Sequence, residues 1–230
     1  MTLIDTPGFD DTDRSDADIL KLIAEYLGQT YHQDILLSGI ILLQPINANR
    51  VQRSESKRTR LFEKVCGPDA YGNIVIATTM WDDLPDHETG NERMAERRRE
   101  LPFWGAMVGG GAQVVKHDNT PRSARDIIKK LLDKRPVTLL MQSELAQNDG
   151  QIYQTSAGRQ LDHDLGENSA KLRAELEELK QARASDRAEI NELRMQIQKT
   201  EAERDDLRGS RVSHFYFPRV PSALHCPRTR

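Results

Sequence analysis

Apolar residues come in short blocks along the first 136 residues, and their spacing changes from block to block. Ile19, Leu20, Ile23, Ala24 and Leu27 recur at the intervals of one helical face, so 17–31 reads as an amphipathic helix capped by Ser15 or Asp16. ILLSGIILLQPI (35–46) is an unbroken apolar run, fit for a strand buried on both faces. SESKRTRLFEKVCG (54–67) reads as a helix running from a Ser54 cap to a Gly67 stop. NIVIATTMWDD (73–83) is a second buried strand that runs into an acidic turn. A charged helix follows around Glu92 to Leu101, then a Gly-rich loop at 109–111, a short strand at 113–115 and a helix from about Ser123 to Lys134. Strands alternating with helices predict βαβ units and a parallel sheet. The opening LIDTPG predicts a further strand end and turn.

Beyond residue 136 the pattern loosens. VTLLMQSELAQ can continue as helix, and the rest of 137–168 reads as a partly ordered connector. From 169 to 207 nearly every residue is Ala, Glu, Lys, Leu, Arg, Gln or Asp, with neither Gly nor Pro. With Leu172 at a d position, the heptad seam runs through Leu172, Leu176, Leu179, Arg183, Asp186, Ile190, Leu193, Ile197, Thr200, Arg204 and Leu207. The polar members weaken its middle and its end, so the reading is one long helix able to form a coiled coil with a second copy or a partner helix. The alternative is a solvated helix leaning on its own domain. Residues 208–230 are basic, hold three prolines and lack acids past Gly209, which predicts a disordered tail.

Composition narrows the classes. Hydrophobic residues make up 37% and charged residues 30%, so part of the chain is expected outside any core. The net charge of −3 gives no reason to expect nucleic acid or an anionic membrane as partner. Cys66 and Cys226 form neither a zinc spacing nor a disulfide framework, which points to a reducing, cytoplasmic setting. No apolar run approaches a membrane span, and the N-terminus lacks signal-peptide regions.

Two short motifs carry chemistry. In Asp5-Thr6-Pro7-Gly8, a carboxylate follows an apolar run and a glycine comes soon after. A carboxylate at the C-terminal end of a parallel strand faces the crevice where open α/β sheets bind ligands. In P-loop NTPases an Asp at such a place holds Mg²⁺, and in their GTP-binding relatives the glycine N–H approaches the γ-phosphate. Thr79-Met80-Trp81-Asp82 ends the second buried strand. In guanine-specific proteins a carboxylate at this place accepts from guanine N1–H and its exocyclic amine, a pairing that adenine cannot reproduce. Gly67 to Gly72 has the glycine spacing of a phosphate loop, but it lacks the Lys-Ser/Thr pair and leads from helix to strand, so it is a decoy. The three arginines at 97–99 stand among glutamates and read as a solvated helix face, and Arg50 to Arg60 reads as a basic surface helix.

On these two motifs the chain resembles the G domain of P-loop GTPases (TRAFAC type), in the septin and immunity-associated branch, and in particular the G domain-containing proteins of mushroom-forming fungi. LIDTPGFDDT resembles the third motif, ATTMWD the guanine-reading motif, and His117-Asp118-Asn119-Thr120 the fifth-motif loop near the base. The resemblance implies a three-layer α/β fold and GTP or GDP with Mg²⁺. It implies Asp5 at the metal, Gly8 at the γ-phosphate, and Thr79 and Asp82 at the base. Met80 stands where the family has lysine, and Phe9 where Ras-like enzymes have a water-orienting glutamine. No G-x-x-x-x-G-K-[ST] occurs in the 230 residues, so relative to the family the domain is expected to be N-terminally incomplete. GTP hydrolysis by the chain is then expected to be weak or absent. The competing expectation is a non-enzymatic interaction protein working through its coiled coil.

Overall fold

The computed structural model describes residues 2–9, 11, 13–47, 53–182 and 187–211. Residues 2–8 form no strand, and Leu3 stays 65% exposed, so the expected opening strand is absent from the sheet. The reason is local. Leu3 and Ile4 are the only apolar residues between Thr2 and the turn, and so short a run gains a strand conformation only by pairing with a neighbour.

Helix α1 (Asp16–His32) starts at Ser15, whose hydroxyl accepts from the Asp18 N–H. It buries Leu20, Ala24 and Leu27. Strand β1 (Ile40–Pro45) leads to α2 (Arg53–Cys66) and, through a 3₁₀ turn at 68–73, to β2 (Ile74–Thr79). Gly67 opens that turn with φ of 77°, which ends α2 and confirms a helix-to-strand connection at the decoy loop. Helix α3 (His87–Arg99), a wide turn at 101–105 and the single turn α4 (Ala106–Gly109) precede β3 (Gln113–Lys116). Helix α5 (Pro121–Leu132) follows.

Among the described residues the sheet has the order β1-β2-β3 and is parallel throughout, with Gln44 level with Thr78 and Thr78 level with Lys116. Side chains alternate across it. Ile40, Leu42, Ile74, Ile76 and Val114 face the main core, which also takes Leu61, Val65, Trp104 and Met107. Ile41, Val75, Ala77 and Val115 face Ile127 and Leu131 of α5. The architecture is therefore α/β with helices on both faces of a small parallel sheet.

The remaining helices differ from the sequence expectation. Segment 137–168 is more than a connector: α6 (Leu140–Gln147) and the start of α7 (Ser156–Ala182) put Met141, Leu145, Ala157 and Leu161 into the main core. Instead of one helix over 169–207, α7 and α8 (Arg187–Gly209) pack side by side. They run in opposite directions, because Asp162 meets Arg204 and Arg208 while Ser169 meets Glu201. Leu172, Leu176, Ile190, Leu193 and Ile197 of the predicted seam form one cluster between the two helices. The polar positions Arg183 and Asp186 and the basic tail from 212 lie outside the described residues. Helix α8 ends on the core: Leu207 is fully buried, and Asp206 pairs with Lys21 of α1.

One arginine of the 97–99 run also departs from the expected solvated face. Arg97 is 1% exposed and donates from Nε and Nη2 to the two carboxylate oxygens of Glu55, at 2.8 and 3.2 Å. It also lies against the Trp104 ring. No helix among the described residues is long and apolar enough to cross a membrane.

Candidate functional site

All three strands end at the same edge of the sheet, where parallel α/β sheets bind ligands. Asn47 follows β1, residues 80–86 follow β2, and residues 117–120 follow β3. The edge is built outward from Thr78, which is fully buried at the last level shared by all three strands. Its carbonyl accepts from the His117 N–H at 2.9 Å, and its hydroxyl donates to the Val115 carbonyl at 3.2 Å. The same two oxygens accept from the indole N–H of Trp81, each at 3.0 Å. Trp81 thus folds back over the strand end and is only 4% exposed.

Two further contacts hold that indole. Gly90 of α3 packs so closely that a Cβ there would stand 2.5 Å from the Trp81 ring. Lys116, the last residue of β3, places its ammonium 4.3 Å from the ring centroid. The same ammonium is 3.2 Å from His87 Nδ1. An ammonium can only donate, so in a hydrogen bond between the two groups His87 is the acceptor at Nδ1.

The turn is also tied on its other side. Asn47 Nδ2 donates to Asp83 at 3.0 Å, and Arg93 of α3 donates to the carbonyls of Ile46 and Asn47 at 3.0 and 2.7 Å. Asp86 caps α3 by accepting from the Thr89 N–H at 2.7 Å, and that bond holds its carboxyl below the usual range. Asp82 is exposed in the middle of this braced turn. Met80 adopts φ of 59°, a left-handed conformation that turns its side chain outward to 54% exposure.

Beside this turn, the third loop carries its own network. The Thr120 hydroxyl accepts from the Ser123 N–H and caps α5, with Pro121 at the first helical position. Asp118 accepts from the Thr120 hydroxyl at 2.6 Å. Hydrogen bonds from the Ser123 and Thr120 hydroxyls bring its carboxyl down to about 2. His117 Nδ1 lies 2.7 Å from the Ser123 hydroxyl. Asn119, at φ of 59°, makes the turn between them.

Of the residues singled out in the sequence, Thr79 ends β2 and Asp82 lies on the turn that follows it, next to the 117–120 loop. Asp5 and Gly8 lie on exposed, irregular backbone with no strand before them, so the strand-end carboxylate expected for Mg²⁺ is not formed there. Sequence reading passed over Thr78, Lys116 and His87 and gave Trp81 no role of its own. A large aromatic between two polar residues at a strand end was the available signal for Trp81. Nothing in the local pattern marks Lys116, which becomes its neighbour only through the β2–β3 register.

A second polar cluster lies elsewhere. His163, Asp164 and Glu167 bring one ligand atom each within 4.8 Å of one another. The Lys57 ammonium stands 3.7 Å from Asp164 and 3.5 Å from Glu167, so this group carries its own cation.

No family model matches the chain, and no curated protein matches it.

Proposed function

We propose that the chain binds a guanine base at the carboxyl edge of its sheet. The observation that carries this reading is the braced turn 80–86. It offers an exposed carboxylate, Asp82, from a backbone held by β2, β3 and α3, next to the 117–120 loop. A fixed carboxylate accepts two parallel hydrogen bonds from guanine and leaves adenine unmatched. The resemblance of TTMWD and HDNT to GTPase base-site motifs agrees with that assignment.

The residues fit a base better than a triphosphate. The 230 residues contain no G-x-x-x-x-G-K-[ST], and Asp5 and Gly8 stand on exposed irregular chain, so no phosphate or Mg²⁺ contact is assigned to them and no hydrolysis is proposed. The competing reading, an interaction protein working through 169–207, needs an open apolar seam. Leu172, Leu176, Ile190, Leu193 and Ile197 instead pack together within the chain.

The test is a titration of the isotope-labelled chain with guanosine, GDP, adenosine and ADP, followed by amide NMR. The guanine compounds should shift residues 80–84 and 117–120 with a dissociation constant on the order of 1 mM or somewhat tighter, about −4 to −5 kcal/mol. Asp82→Asn should lose guanine and gain xanthine, whose C2 oxygen accepts from an amide where guanine donates to a carboxylate. Equal shifts with adenosine, or none at this edge, would overturn the reading.

A further inference from the structure

We propose that Lys116 is the positioning residue of this base site, acting on Asp82 through Trp81. The proposal rests on the reading above for what the turn is used for, but its physical content, that Lys116 fixes the turn, stands on its own. Position 80, next to the base-reading carboxylate, is a methionine that points into solvent from left-handed backbone. It therefore supplies no cation to the turn. The cation comes from the adjacent strand. Lys116 is level with Thr78, and its ammonium spans the gap between the Trp81 ring, 4.3 Å from the centroid, and His87 Nδ1, at 3.2 Å.

Each partner gives the ammonium a reason to stay. The indole face is the negative end of the ring quadrupole, and tryptophan is the best aromatic acceptor of a cation. Trp81 is also held on two sides, because its N–H is shared between two oxygens of Thr78 and Gly90 lets α3 lie against its ring. His87 is held at the first turn of α3, whose cap is Asp86. The lysine thus ties β3 to the start of α3 across the indole. Residues 82–86 bridge those two anchors, and the Leu84 N–H returns to the Trp81 carbonyl at 3.3 Å. Remove the cation and the indole keeps its acceptors on Thr78, but the turn loses its tie to β3 and those bonds open more often.

Lys116→Met keeps the aliphatic length and deletes the charge, whereas Lys116→Arg keeps a cation that can sit over the ring and donate to His87. Two measurements are made on each variant. Hydrogen exchange of the Trp81 indole N–H and the Leu84 amide, without nucleotide, reads how firmly the turn is held. The ratio of guanosine to adenosine affinity reads whether Asp82 is aimed. In Lys116→Met the exchange should quicken about two- to fivefold, the range a partly exposed cation–π contact allows. The guanosine preference should fall by a similar factor, with overall helicity unchanged and both values restored in Lys116→Arg. Unchanged exchange in Lys116→Met overturns the proposal whatever the nucleotide result. So does loosened exchange in a variant whose guanosine preference is intact. If the exchange responds as expected but wild-type protein does not prefer guanosine, the base-site reading fails, and Lys116 remains the residue that fixes the turn.

Discussion

Asp118 shows how much one exposed side chain can be committed by its loop. Its carboxylate is fully solvent-facing, yet hydroxyls of Ser123 and Thr120 bring it from 3.8 to about 2. A group whose folded value is depressed stabilises the fold above its unfolded value, and that contribution disappears as pH falls through the folded value. Stability measured by chemical denaturation should therefore decline between about pH 4 and pH 2 in a component that Asp118→Asn removes. At this scale the sequence was partly readable. Asp82 and the HDNT loop could be found because polar residues directly follow strong apolar runs. The residues that hold them in place could not, since the pairing of Lys116 with Trp81 depends on which strands become neighbours. The strand expected before Asp5 was misread for a related reason: a four-residue match says nothing about whether a strand will form in front of it.

Among the elements, α2 and α3 are joined by a buried ion pair between helices that sequence reading treated as surface. Glu55 and Arg97 meet in two hydrogen bonds, and both are buried. Breaking one side of such a pair leaves an uncompensated charge inside the protein. Glu55→Gln is expected to cost about 3–5 kcal/mol in urea unfolding, while Glu55→Leu with Arg97→Met should cost much less. Charge runs do not reveal this partner, because the pairing crosses 42 positions. The strands at 74–79 and 113–116 and the helices at 16–32, 53–66 and 121–132 fall close to their expected places, whereas the 35–46 run yields a strand only over 40–45, and that strand is not buried on both faces: Leu43 is 61% exposed. The long C-terminal helix was legible only in composition. Its heptad seam fits a partner in any chain, including its own, and the choice belongs to the fold rather than to the repeat.

For the molecule as a whole, that choice turns an expected stalk into part of the body. Helix α8 runs back along α7, where Asp162 takes bidentate bonds from both Arg204 and Arg208. Burial alone would raise the Asp162 carboxyl, but those arginines hold it below its usual range. The helix then delivers Leu207 to the main core, so the hairpin and the sheet should melt together in one calorimetric transition, and Leu207→Ala should lower stability by about 2–5 kcal/mol. The β1 edge of the sheet differs among the described residues. Strand β1 pairs with β2 alone among the described residues, carries no charge from Ile40 to Pro45, and leaves Leu43 61% exposed. An uncharged, greasy border of this kind invites strands of other molecules to stack onto it, especially in crowded or concentrated solution. Leu43→Lys should cost almost nothing in folding, since the side chain already meets water. Light scattering should then find the substituted protein monodisperse at concentrations where the parent clumps. The handling of this protein at the bench would be governed by one outward-facing leucine.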